Sequence, residues 1–191
     1  KPVEASLALE IAVQLADALA EGHRQGVVHG NICPSTIFIT PTDQTKIIGF
    51  GLAAWTSGGI KRRTIVEQLA AGGDPDAPGA NAVVPYMAPE QLLTGRTDHR
   101  ADVFSLGVIL HEMLTGRAPF GSSTAGATAV KVLYGTPPPP SHQNASVPVG
   151  FDSVVAKALN KGLDARYSSA SEMVADLRAL ASDMDAGRVQ M

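Results

Sequence analysis

A glycine-rich run between two apolar segments is the first candidate for binding chemistry in this sequence. Residues 49–54 read GFGLAA and follow a strand-like run, so they fit the loose G-x-G-x-x-A pattern that cradles a dinucleotide pyrophosphate. That chemistry requires a helix directly after the pattern, because the helix N-terminus binds the pyrophosphate. Here Trp55 and a TSGG stretch follow instead, and no second strand–helix unit comes after them. The run therefore does not predict a dinucleotide site.

Cysteine, histidine and charge argue against several other kinds of site. Cys33 is the single cysteine, which excludes an intrachain disulfide and a cysteine-only metal site, and the five histidines show no paired ligand spacing. The formal charge is −3, from 15 basic and 18 acidic residues, and the one basic run covers residues 61–63. Nucleic-acid binders usually carry a basic excess or stripe. We therefore expect no metal site and no nucleic-acid partner.

The spacing of apolar residues predicts a mainly α-helical chain, with about six helices and one small β-hairpin. The first helix should cover residues 6–25, because apolar residues recur every four positions from Leu7 to Leu19. Two β-branched runs separated by a Pro–Thr–Asp turn, residues 37–40 and 45–48, predict the hairpin. Further helices are predicted over residues 89–93, 100–115, 124–134, 151–159 and 169–180.

The helix predicted over residues 100–115 should form the centre of the core. Its apolar residues lie on nearly all faces, which is typical of a buried helix. Gly116 follows it, and glycine is suited to a helix C-cap. Farther along, residues 137–140 are four prolines, which predict an extended connector.

Three short blocks occur in order along the chain, and together they are more specific than any single motif. They cover residues 27–39, 46–53 and 86–91, with the hairpin between the first two and a long loop between the last two. In this order they resemble the C-terminal lobe of the eukaryotic-like protein kinases, in their bacterial Ser/Thr branch. The resemblance continues through residues 102–116, 119–120 and 165–167.

The catalytic positions depart from the family pattern. The resemblance implies a loop of the form H-R-D-x-x-x-x-N, whose Asp accepts the substrate hydroxyl proton and whose Asn holds a second Mg²⁺. Here the Asp position is Asn31, the Asn position is Thr36, and the family Arg and Lys positions are Gly30 and Cys33. The metal-binding Asp of the second block is Gly49. Because an amide accepts no proton at neutral pH and Mg²⁺ prefers anionic oxygens, we expect no functional catalytic residue among these positions and no bound metal.

The structural positions of the family are retained. The resemblance implies that His29 and Phe50 stack in the spine of packed side chains that joins the two kinase lobes. It also implies that Asp102, at the head of the buried helix, holds the backbone of the loop that begins at His29. Glu90 should pair with Arg166.

The resemblance also implies a domain organisation. Residues 1–186 should form one kinase-like C-lobe, with a long and mobile activation-type loop over residues 56–82 and a tail over residues 187–191. No Gly-rich phosphate loop and no Val-Ala-Ile-Lys strand lies within the chain, so we expect it to supply only the floor of an ATP pocket.

These departures favour a pseudokinase, a catalytically inactive kinase-like domain that acts as a regulatory or scaffold module. The alternative is the C-terminal portion of an ATP-dependent Ser/Thr kinase with an atypical mechanism. ATP and Mg²⁺ are expected as cofactors only in that alternative. A C-lobe without its N-lobe exposes an apolar surface, so we expect a protein partner or self-association there.

The longest apolar stretch, near residues 103–114, is too short and too polar to cross a bilayer. We therefore expect no membrane segment in this chain and a reducing, cytoplasmic environment.

Overall fold

The structure is a computed structural model that describes residues 1–50, 80–94 and 97–188. Within these residues the chain is mainly helical with one two-stranded sheet, which confirms the predicted fold class. The strands are β1 (Ile37–Ile39) and β2 (Thr45–Ile47), and the helices are α1 (Ala5–Arg24), α2 (Ala80–Val83), α3 (Pro89–Thr94), α4 (His99–Thr115), α5 (Ala125–Tyr134), α6 (Pro140–Gln143), α7 (Gly150–Ala158) and α8 (Ala170–Asp185).

Helix α4 is the centre of the core, as its sequence predicts. It packs against α1, α7 and α8, and its residues 101–111 are all buried. Asp98 caps its N-terminus by accepting a hydrogen bond from the Arg100 amide, and Gly116 ends it with a left-handed φ of 76°. Gly107 lets α7 approach closely, because a Cβ at this position would lie 2.6 Å from the Cβ of Ala158.

Helix α1 buries one face against α4 and α8, but Leu7 is not part of that face. Its side chain is 42% exposed, whereas Ala8 is fully buried. A four-residue spacing drifts by about 40° per step around a helix of 3.6 residues per turn. Over the three steps from Leu19 back to Leu7 the drift is large enough to turn Leu7 out of the contact.

The hairpin is held on α1 by one side chain. Strands β1 and β2 pair antiparallel, with Ile37 opposite Ile47. On α1, the Gln14 side chain accepts a hydrogen bond from the Thr45 amide at 2.7 Å and donates one to the Asp43 carbonyl at 3.2 Å. The hairpin is therefore fixed relative to α1.

The proline segment is partly helical. The sequence predicts an extended connector over residues 137–140, but Pro140 is the first residue of α6. Proline is well suited to the first helical position, since its missing amide hydrogen has no partner there and its φ is already helical.

Among the described residues no helix is both long and apolar enough to cross a membrane. The final residues of the predicted loop, 80–82, lie in α2, and the rest of that loop lies outside the described residues.

Glu172 in the first turn of α8 predicts a specific acid dependence of stability. Its hydrogen bonds from Lys157 and Ser168 lower its pKa from 4.5 to about 2. A lowered carboxyl pKa adds stability above pH 4.5, and this stability is lost as the pH falls towards about 2. We expect Glu172→Gln to lose about 1 kcal/mol at pH 7, because water screens a side chain that is 38% exposed.

Urea unfolding of wild type and Glu172→Gln at pH 7 and near the acid limit measures this difference. The difference in free energy of unfolding between wild type and Glu172→Gln should shrink towards zero at low pH. Glu10→Gln on the exposed side of α1 is the matched control and should show no such trend. A Glu172→Gln deficit that stays constant with pH would contradict the assignment.

Candidate functional site

A loop between α1 and β1 is anchored by one buried carboxylate. Asp102 in the first turn of α4 is fully buried. Its Oδ2 accepts a hydrogen bond from the His29 amide at 2.8 Å, and its Oδ1 accepts one from the Gly30 amide at 2.7 Å. The carboxylate thereby fixes the backbone at the start of the loop.

His23 is a third donor to the same carboxylate, and sequence reasoning missed it. Its Nε2 lies 2.8 Å from Asp102 Oδ2, and its side chain is 9% exposed. One signal was available: His23 continues the four-residue series that includes Leu15 and Leu19 on the buried face of α1. A polar residue in an apolar series points to a buried polar partner, since such groups are rarely left unpaired.

The His29 ring joins the loop to the end of the hairpin. Its Nδ1 accepts from the Asn31 amide at 3.2 Å, and its Nε2 donates to the Ile48 carbonyl at 2.9 Å. The ring meets Phe50 edge-to-face, with centroids 5.1 Å apart and an interplanar angle of 80°. Gly22 on α1 leaves room for this, because a Cβ there would lie 2.6 Å from the Phe50 ring.

The polar side chains of the loop are mostly engaged locally. Thr36 Oγ1 donates to the Cys33 carbonyl at 2.8 Å and accepts from the Cys33 amide at 3.2 Å, which closes the short 3₁₀ turn Pro34–Thr36. The Cys33 thiol is buried, and the Asn31 side chain is exposed. Gly30 and Gly49 both have left-handed backbones, with φ of 69° and 93°.

Gln91 is a second contact that the sequence did not reveal. It lies in α3 and is 7% exposed. Its Nε2 donates to the Gly30 carbonyl at 2.9 Å, and its Oε1 accepts from the Ala88 amide at 2.9 Å. The loop is therefore held from both α4 and α3.

Glu90 and Arg166 form an ion pair in which the arginine is fully buried and the glutamate is largely buried. The guanidinium donates to both Glu90 oxygens, at 2.7 and 3.1 Å, and the Arg166 side chain is fully buried. The same guanidinium donates to the Arg100 carbonyl at 3.0 Å and to the Asn160 carbonyl at 2.9 Å. The pair thus joins α3, the start of α4 and the segment before α8.

A comparison with known protein families shows to which family this chain belongs. The model of the protein kinase domain family matches residues 1–177. The chain belongs to the protein kinase domain family. Its mainly helical fold with one small hairpin is that of the C-terminal lobe of a protein kinase domain, as the ordered blocks of the sequence predict.

Two mycobacterial kinases illustrate the similarity. Serine/threonine-protein kinase PknB of Mycobacterium leprae (strain TN) is 35% identical over 176 residues, which cover 92% of this chain and 26% of that protein. Serine/threonine-protein kinase PknH of Mycobacterium tuberculosis (strain ATCC 25618 / H37Rv) is 33% identical over 184 residues, covering 96% of this chain and 27% of that protein. The chain spans about a quarter of the length of these curated relatives.

The loop from His29 to Thr36 lies within the residues that the family model matches. It has an exposed amide at Asn31 and a locally bonded hydroxyl at Thr36. Gly49 has no side chain to offer a metal. In the described part of the chain no group of three or more His, Cys, Asp or Glu could hold a metal ion.

Residues 51–54 of the glycine-rich run and the basic run over residues 61–63 lie outside the described residues.

Proposed function

We propose that this chain is a catalytically inactive protein-kinase-like domain that acts as a regulatory or scaffold module by binding another protein. One observation carries the proposal. The loop in the place of the catalytic loop keeps its anchors on Asp102 and Gln91, while Asn31 and Gly49 leave it without the two carboxylates that the family chemistry uses.

The missing carboxylates have separate chemical consequences. Asn31 has no basic oxygen that can accept the proton of a substrate hydroxyl, and loss of a general base costs about 10²–10⁴ in rate. Gly49 provides no anionic ligand for Mg²⁺, which stabilises the transition state by several kcal/mol in metal-dependent enzymes. Because such losses do not simply add, we take a combined loss of about 10⁵. A typical kinase rate of about 1–100 s⁻¹ would then fall to about 10⁻³ s⁻¹ or less.

Exposed apolar side chains support a binding role. Phe38 and Ile39 on β1 are 51% and 54% exposed, and Ile48 just after β2 is 51% exposed. Large apolar side chains that stay exposed to water favour contact with another protein surface. A protein partner or a second copy of the chain could cover them, in the reducing cytoplasmic environment that we propose for this domain.

A second candidate is the C-terminal portion of an ATP-dependent serine/threonine protein kinase with a rearranged mechanism. The similarity to curated kinases over 92% or more of the chain favours this candidate. It would use Mg-ATP and would need a proton acceptor other than Asn31.

Phosphoryl transfer by the full-length natural protein tests the two candidates. Wild type, Asn31→Ala and the exposed-site control Ser153→Ala are incubated with Mg-[γ-³²P]ATP and a generic substrate such as casein. The proposal expects all three proteins to remain at background, at or below about 10⁻³ s⁻¹. Robust phosphorylation by wild type and Ser153→Ala, whether or not Asn31→Ala abolishes it, would overturn the proposal and support the second candidate.

A further inference from the structure

Gly22 is the one glycine in α1, and it lies in the last turn of that helix. Glycine makes a helix less stable than alanine does, because it loses more conformational freedom on folding. Here the Phe50 ring fills the space that a side chain would need, since a Cβ on Gly22 would lie 2.6 Å from Cε1 and 3.2 Å from Cδ1 of that ring. Carbon atoms pack best at about 3.5–4.0 Å, so such a Cβ would displace the ring. Gly22 therefore provides a seat for Phe50.

The buried ring of His29 also contacts Phe50 in this seat. The two rings meet edge-to-face, with centroids 5.1 Å apart. Each nitrogen of His29 has a partner, because Nε2 donates to the Ile48 carbonyl and Nδ1 accepts from the Asn31 amide. A shift of the Phe50 ring would therefore act on His29 and, through its two nitrogens, on the loop and on the end of the hairpin.

The backbone just before Phe50 also depends on a glycine. Gly49 has a left-handed φ of 93°, a conformation that is unfavourable for a residue with a side chain. It turns the chain directly before Phe50. Two glycines thus act on one aromatic ring, since Gly22 leaves space for the ring and Gly49 permits the backbone turn that precedes it.

The loop backbone is held independently of this seat. Asp102 accepts hydrogen bonds from the amides of His29 and Gly30, and neither bond involves Phe50. Loss of the seat should therefore loosen the His29 ring and the Asn31 amide while the two amides on Asp102 stay bound. This difference separates a local device from a contact that only stabilises the whole domain.

We propose that Gly22 and Phe50 form a conformational latch. With Phe50 in its seat, the latch keeps the His29 ring in one orientation, with Nε2 on the Ile48 carbonyl and Nδ1 on the Asn31 amide. With the ring displaced, that support is lost and the exposed side chain of Ile48 is released. The latch itself does not depend on whether the domain is catalytic. Its effect on a partner that covers Ile48 rests on the proposed function.

NMR of the isotope-labelled full chain tests the latch without a partner or a nucleotide. Wild type should show NOEs from the Phe50 ring to the Gly22 α protons and to the His29 ring. Gly22→Ala should lose the NOEs between Phe50 and His29. The Asn31 amide should then exchange about ten-fold faster, while the His29 and Gly30 amides keep the exchange rates of wild type.

Gly107→Ala is the matched control. Gly107 is also a helix glycine, and its added Cβ would also lie 2.6 Å from a neighbour, the Cβ of Ala158. This variant should lower the melting temperature but leave the Phe50 NOEs and the exchange of Asn31 unchanged.

Thermal unfolding of a double-substitution set gives a second measurement. Gly22→Ala should lower the Tm of wild type, because the Phe50 ring has to move. In the Phe50→Ala background it should raise the Tm, since the space is then open and alanine favours the helix. Four results would each overturn the proposal: no Phe50–His29 NOE in wild type, the same NOEs in Gly22→Ala, equally faster exchange at Asn31, His29 and Gly30, or the same change of Tm in both backgrounds.

Discussion

Arg166→Ala is expected to lower the free energy of unfolding by about 3–5 kcal/mol. The substitution leaves the Glu90 carboxylate, whose side chain is only 18% exposed, without its counter-ion. It also removes the donors to the Arg100 and Asn160 carbonyls and the guanidinium packed 5.0 Å from the Phe104 ring. Removing one partner of a buried pair costs more than the pair contributes, because the other charge stays buried.

Urea denaturation of Arg166→Ala and Arg178→Ala measures both free energies of unfolding. The comparison separates the loss of a buried ion pair from the loss of an exposed arginine. Arg178 also makes a two-oxygen contact, with Asp17, but its side chain is 62% exposed and that of Asp17 is 45% exposed. Arg178→Ala should therefore cost less than about 1 kcal/mol. Arg166→Lys should recover only part of the loss, since an ammonium cannot match the guanidinium fork. Equal losses of unfolding free energy in Arg166→Ala and Arg178→Ala would contradict this prediction, because burial of the Glu90–Arg166 pair would then make no difference to stability.

Asp102→Ala is expected to lower the free energy of unfolding by a similar amount, about 3–5 kcal/mol. It should also loosen the loop at His29 and Gly30 in particular. It removes the acceptor for the His29 and Gly30 amides and the partner of His23. Buried donors left without an acceptor cost about 1–3 kcal/mol each. Hydrogen exchange should show that the amides of His29 and Gly30 lose protection well before the amides in the middle of α1.

Asp98→Ala is the control on the same helix. Asp98 caps α4 but its side chain is 41% exposed, so its removal should cost about 1 kcal/mol without changing exchange at His29. A small loss for Asp102→Ala, or unchanged exchange in the loop, would mean that the carboxylate does not anchor this backbone.

The helices could be predicted from the sequence because their signals are local. Helix α4 is apolar on all faces and has a cap residue at each end, so its limits fall within one residue of the prediction. The cap residue Ser169 likewise predicts the start of α8, but the Glu172 side chain bonds to Ser168 and Lys157 instead of closing the capping box on Ser169. That choice depends on Lys157, which α7 brings near from 15 residues away, and no local pattern encodes it.

The candidate site could be predicted only where the family pattern carried the information. That pattern implies the contacts of Asp102 with the loop and of Glu90 with Arg166, and both contacts are present. The ring contact of His29 with Phe50 is edge-to-face where the sequence implied stacking. Contacts of Gln91 and His23 with this site span 61 and 79 residues along the chain, and such pairs come from tertiary packing alone.

The two left-handed glycines bear on how such a domain evolves. A residue with a side chain at φ of 69° or 93° carries roughly 1–2 kcal/mol of backbone strain, while glycine carries almost none. The greater freedom of glycine in the unfolded chain offsets only roughly 0.5–1 kcal/mol of that gain. Stability alone therefore favours glycine at Gly30 and Gly49. At such positions a change to glycine is easier to accept during evolution than a change away from it.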